Sequence, residues 1–188
     1  MSVYLAGQQG DELASITTTT THKISEVTLM ALNDECLDQV CLYLGTVEQF
    51  FMLQLDTRLE YIIKRRWKFH LKELKLEQND LKNFTNELFL KFMKSVSGHV
   101  ESLTLNYIQR CKFQQLAHCQ FPRVHSLDCI DPYDLSRCSE ERYTEDVVEI
   151  IQKSFPNLES LKVKGFRITY GKNLFAMKNL KRLQLNFL

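Results

Sequence analysis

Residues 71–81 read LKELKLEQNDL. Leucines at 71, 74, 76 and 81, with Asn79 between the last two, set the spacing L-x-x-L-x-L-x-x-N-x-L. The first half of that spacing recurs as VESLTL at 100–105, VHSLDC at 124–129, LESLKV at 158–163 and LKRLQL at 180–185. Successive copies start 29, 24, 34 and 22 residues apart. One such match is cheap by chance, whereas five in order at a near-regular period are not. Each copy predicts a short strand followed by a returning segment that cannot bury its apolar side alone, so copies must stack.

The segments between copies agree. At 85–97, Leu88, Phe89, Phe92, Met93 and Val96 share one helical face, which Gly98 ends. At 144–154, Thr144 caps an acidic first turn, Val147, Val148 and Ile151 point inward, and Pro156 lies beyond the end. A longer insertion runs near Tyr133 to Tyr143. The fold class is therefore α/β, with a strand and a helix per repeat over residues 70–188.

Side chains alternate along a strand, so the residues beside the core leucines share the opposite, concave face. These are Glu73, Lys75 and Glu77, then Ser102, Thr104 and Asn106, then Ser126 and Asp128, then Ser160, Lys162 and Lys164, and finally Arg182, Gln184 and Asn186. The row grades from mixed to basic. Lys75, Thr104, Asp128, Lys162, Lys164 and Arg182 are its candidate target-binding residues, with Lys162, Lys164 and Arg182 as anchors for an acidic or phosphorylated partner. The last repeat has no polar capping element after it, so the expectation is a longer parent chain or a partner covering that strand edge.

Ahead of the repeats the pattern differs. Residues 1–29, with the threonine run Thr17 to Thr21, have no helical or strand period and read as a disordered leader. Residues 30–69 read as three short helices. Cys36, Leu37, Val40, Cys41 and Leu44 mark one face of the first, capped by Asn33 or Asp34 and stopped by a left-handed Gly45. Thr46 with Gln49 and Thr57 with Glu60 read as capping boxes for the next two. So small a bundle cannot offset its chain entropy alone and must lean on the rest of the chain or on a partner. Phe50, Phe51 and Met52 offer a docking face or, equally, a buried turn.

Composition limits function. The net charge is +1, although residues 1–60 carry nine acids against two bases and residues 155–188 seven bases against one acid. No nucleic-acid or membrane partner is expected; the basic run Lys64 to Lys68 reads as a helix end joining two modules. No phosphate loop, nucleophile elbow or zinc-protease spacing occurs, so neither catalysis nor a cofactor is expected. Cys119, His125, Cys129 and Cys138 match no common metal spacing. With no export signal, the six cysteines are expected to stay reduced, in the cytoplasm or nucleus.

Segment 32–67, LNDECLDQVCLYLGTVEQFFMLQLDTRLEYIIKRRW, resembles the F-box, the docking motif of substrate receptors in cullin–RING ubiquitin ligases. Leu32, Asp34, Glu35, Leu37, Val40 and Leu44 fall at its opening leucine, acidic pair and first-helix apolar face, and Leu53, Leu55 and Arg58 fit its later part. Asn33 replaces the family's proline, while Asp56 and Leu59 stand where it has cysteine and tryptophan. An F-box followed by leucine-rich repeats is an architecture of that family. The resemblance implies a non-catalytic adaptor that binds a Skp-type adaptor and cullin scaffold through Leu32, Asn33, Glu35, Leu37, Val40, Leu44, Phe50 and Leu53. The alternative is a repeat scaffold without ligase association, its helices capping the stack.

Overall fold

The computed structural model describes residues 29–130, 147–164 and 177–186. The chain divides into two units, 1–31 and 32–188. Of the first, only a 3-10 turn at Leu29–Ala31 is described, so Leu29, expected in the leader, stands in a turn. The rest of the leader and the Thr144 cap lie outside the described residues.

Three helices open the second unit: α1 (Asp34–Leu42), α2 (Thr46–Met52) and α3 (Thr57–His70). Then come β1 (Glu73–Glu77), α4 (Asn86–Val96), β2 (Ser102–Asn106), α5 (Arg110–Gln115), β3 (Ser126–Ile130), α6 (Val147–Ser154), β4 (Ser160–Lys164) and β5 (Arg182–Asn186). The protein is mixed α/β with one parallel sheet of five strands, in which spatial order equals chain order.

The leucine spacing fixes the register. Leu74, Leu103, Leu127, Leu161 and Leu183 stand opposite one another, and so do Leu76, Leu105, Cys129, Val163 and Leu185. Both rows are buried in β1 to β4, while Leu183 of β5 remains 45% exposed. A slip of one residue would turn both rows outward, so burial on one side enforces this pairing. Just before the strands the ladder continues through backbone bonds: Glu101 N–H to Lys72 O (2.7 Å), His125 N–H to Glu101 O (2.9 Å), Glu159 N–H to His125 O (2.9 Å) and Lys181 N–H to Glu159 O (2.8 Å). That row sets a lysine beside a glutamate at each end. Lys72 lies 2.6 Å from Glu101 and Lys181 lies 3.0 Å from Glu159, and these hydrogen bonds hold both carboxyls below their ordinary range.

Helix caps depart from the sequence reading by one residue. Gly45 is extended (φ −67°, ψ 165°), not left-handed, and is the N-cap of α2. Asp56 caps α3, its carboxylate accepting from Arg58 N–H (2.7 Å) and Leu59 N–H (3.4 Å), so Thr57 is already the first helical residue. Asn33, one of the two expected candidates, caps α1, and Thr85 caps α4. Helix α5 had no sequence signal, because its six residues bury only Lys112 and Phe113.

The three opening helices share a core with the first repeat. The Phe50 ring lies 6.1 Å from Phe84 and 5.1 Å from Phe92, which are themselves 5.6 Å apart. The small bundle thus buries its apolar side against the sheet's own helix layer, which answers its shortage of core.

Candidate binding surfaces

The first surface is built on α1 and α3. Asn33 Oδ1 accepts the Cys36 N–H at 2.8 Å, which fixes where α1 begins. Arg58 of α3 then ties that start down. Its Nε donates to Asp34 Oδ1 at 2.6 Å and its Nη2 to the Leu32 carbonyl at 2.7 Å. Between α1 and α3 runs a groove of about 440 Å³ with two unlike walls. Asp34, Glu35, Asp38 and Gln39 line one, and Tyr61, Arg65, Arg66, Phe69 and His70 the other. Tyr61 and Phe69 are 63% and 60% exposed.

The expected adaptor-binding residues separate by burial. Leu37, Phe50 and Leu53 lie in the protein's own core, shaping the surface from beneath. Leu32, Val40 and Leu44 are half-buried, and Asn33 and Glu35 are exposed. The sequence could not make that division, since Leu37 and Val40 lie on the same helical stripe.

Gln49, read from sequence as a capping partner, is instead a buried link between the three helices. Its Nε2 donates to the carbonyls of Cys41 (2.8 Å) and Leu44 (2.9 Å), and its Oε1 accepts the Trp67 indole N–H (2.7 Å).

The second surface is the open face of the sheet. The register sets three rows across it: Glu73, Ser102, Ser126, Ser160 and Arg182; Lys75, Thr104, Asp128, Lys162 and Gln184; Glu77, Asn106, Ile130, Lys164 and Asn186. All six expected target-binding residues fall on this face, but their charges are not equally free. Lys162 Nζ is 2.8 Å from Asp128 Oδ2, in a pair whose side chains are 41% and 29% exposed. Lys75 is paired with Glu77 at 2.7 Å, which raises its amine above the ordinary value. Lys164 and Arg182 are exposed and make no ion pair among the described residues. Of the three expected anchors, Lys162 is therefore already neutralised by its neighbour.

A feature with no sequence signal lies at the middle of this face. Asn106 Oδ1 and Asp128 Oδ1 are both shut off from solvent and receive no hydrogen bond from the described residues. Tyr107, next to Asn106, has left-handed backbone (φ 57°), and its N–H donates to the Ile130 carbonyl at 2.8 Å.

Cys119 and Cys129 are buried and ill-suited to chemistry at either surface. Burial pushes the Cys119 thiol up to about 11 and the Cys129 thiol higher still, while Cys138 lies outside the described residues. Among the described residues, no group of three or more His, Cys, Asp or Glu could hold a metal ion, and no helix is long and apolar enough to cross a membrane. In comparisons with known proteins, no family model and no curated protein matches the chain.

Proposed function

We propose that the protein is a non-catalytic substrate-recognition adaptor of an SCF-type ubiquitin ligase. In this reading α1 to α3 form an F-box-like module that docks on a Skp-type adaptor, and through it on a cullin. The five repeats form a short leucine-rich-repeat solenoid whose open face holds a protein target. Ubiquitin transfer belongs to partner subunits, and the adaptor acts by raising the local concentration of the target. The observation that carries the reading is the in-register leucine row from Leu74 to Leu183, with a face opposite it that is polar but for Ile130. Three helices with open side chains at Leu32, Asn33, Glu35, Val40 and Leu44 precede it.

The test is co-expression of the full chain with a Skp-type adaptor and cullin, followed by co-purification. Wild type should be retained with both. Glu35→Lys with Val40→Asp should weaken retention about tenfold or more, because it places wrong charges in a desolvated contact while sparing the buried Leu37. Wild-type protein that is folded yet retains neither partner would overturn the ligase reading.

One observation favours a second reading in that event. Leu37, Phe50 and Leu53 are already used inside the protein, and Phe50 packs on Phe84 and Phe92 of the first repeat. The helices would then be an N-terminal cap, and the protein a repeat scaffold that binds partners without a ligase.

A further inference from the structure

The segments that lead into β1, β2 and β3 gather cations around one histidine. His99 lies half-buried in the turn between α4 and β2. Burial first, and then the charges of Arg123, Lys64, Lys68 and Lys72, hold its ring below the ordinary imidazole range. Those charges come from three separate segments. Lys64 and Lys68 stand about one turn apart on α3, Lys72 directly precedes β1, and Arg123 precedes β3. Glu101 fastens two of them together, its Oε1 lying 2.6 Å from Lys72 Nζ and 3.2 Å from Arg123 Nη2.

The cluster does not neutralise itself. Lys64 is paired with Glu60 on its own helix, while Lys72 and Arg123 share Glu101. Lys68 has no carboxylate partner among the described residues and stands 5.7 Å from the Phe69 ring centre. Four cations against two carboxylates leave two positive charges unmatched beside a neutral histidine. A single carboxylate would cancel only one of them. A phosphate monoester carries a charge of about −1.5 to −2 at neutral pH and offers several strong acceptor oxygens to ammonium and guanidinium donors. The cluster is also compact, drawn around one ring. Nucleic acid asks instead for a stripe of cations that follows successive phosphates. A Cβ placed on Gly98, next to His99, would meet no atom within 4 Å, so the approach on that side is open.

We infer that the cluster of Lys64, Lys68, Lys72 and Arg123 around His99 binds one phosphoserine or phosphothreonine of a partner protein. Lys68 and Arg123 make the main contacts. Lys68 has no carboxylate to leave, and Arg123 spends one terminal nitrogen on Glu101 while its planar fork keeps further donors. Lys64 and Lys72 strengthen the field around them. A bound dianion favours the protonated imidazole, so His99 becomes a further donor once the phosphate is in place. The site shares no residue with the open face, where Lys164 and Arg182 are the cations without an ion pair, and it does not depend on the ligase reading.

The experiment uses the full chain and short fluorescent Gly-Ser peptides with phosphoserine, Glu or Ser at the centre, and binding is followed by anisotropy at low salt. NMR of the histidine rings reports His99, whose signal is assigned by its loss in His99→Gln. The phosphoserine peptide should bind at least about tenfold tighter than the Ser peptide, the margin of one charge-assisted hydrogen bond, and tighter than the Glu peptide. Its binding should move the His99 titration upward. Lys68→Gln with Arg123→Gln should remove both the preference and that shift, with an unchanged melting temperature because both side chains are exposed. Lys164→Gln with Arg182→Gln should leave both in place. Phosphoserine bound no better than serine would overturn the inference. So would a preference that is lost with Lys164 and Arg182 yet survives the loss of Lys68 and Arg123. Binding that leaves the His99 titration where it was would put the phosphate elsewhere, with the same consequence. A short single-stranded RNA that binds more tightly than the phosphopeptide, and is lost in the Lys68 and Arg123 variant, would overturn the assignment to a protein partner.

Discussion

Gln49 shows how one polar side chain holds the helical part together. It is only 7% exposed, and its three side-chain hydrogen bonds all reach residues outside its own helix. Replacing it by Ala removes the donor to two carbonyls and the acceptor for the Trp67 indole at once. Stranded buried groups cost about 1–3 kcal/mol each, so Gln49→Ala should lose roughly 3 kcal/mol in a urea titration. Trp67→Phe strands only the Gln49 oxygen and should cost less. The double variant should be less destabilised than the two singles added, because both remove the same bond. Full additivity would show that the 2.7 Å contact contributes nothing of its own. A polar residue inside a helix was visible in the sequence. Its partners, 5, 8 and 18 residues away, were not, because no local pattern encodes a bond across a bundle.

Among the elements, the strands were legible and the helix starts only nearly so. Period-two burial leaves a strand a single acceptable phase, and all five leucine copies fell into one register. A helix start tolerates either of two adjacent capping residues, so the sequence reading settled on Thr57 although Asp56 stands beside it. The structure gives the cap to Asp56, whose carboxylate takes two backbone N–H groups. Asp56→Ala should therefore cost about 1 kcal/mol, while Thr57→Ala should stay within about 0.5 kcal/mol of wild type. The opposite ranking in thermal or urea melts would return the cap to Thr57. The same Asp56 departs from the F-box pattern, and its capping role gives a structural reason for that residue. Helix α5 escaped notice for another reason, since six residues give less than two turns of periodicity. On the candidate site, the alternating rows were readable from residue spacing. The neutralisation of Lys162 by Asp128 and the orphaned oxygens at Asn106 and Asp128 depend on side-chain packing between strands and left no trace in the spacing.

At the scale of the whole molecule, a helical module at 30–69 and repeats at 70–188 are separate in pattern but joined in packing. Phe50 is fully buried among Phe84 and Phe92, which belong to the first repeat and α4. Lys91 of α4 also donates to the Gln54 side chain at 2.9 Å, just past α2. The helical part lacks enough core of its own and shares Phe50 with the repeats, so the two should unfold together. Phe50→Ala tests this directly. Truncating a fully buried phenylalanine costs about 3–5 kcal/mol, through lost burial and the cavity left behind. The loss should appear as one transition shifted to lower denaturant, with amides of α3 and α4 losing hydrogen-exchange protection in parallel. Were the helices an independent docking module, the variant would instead show two transitions, with α3 released early and the sheet unchanged. The distinction bears on the proposed function, because a module sharing its core with the repeats would hold the proposed docking surface and target face in one rigid frame. A target captured on the open face would then be presented at a fixed distance from whatever α1 binds, with no linker to dilute its local concentration.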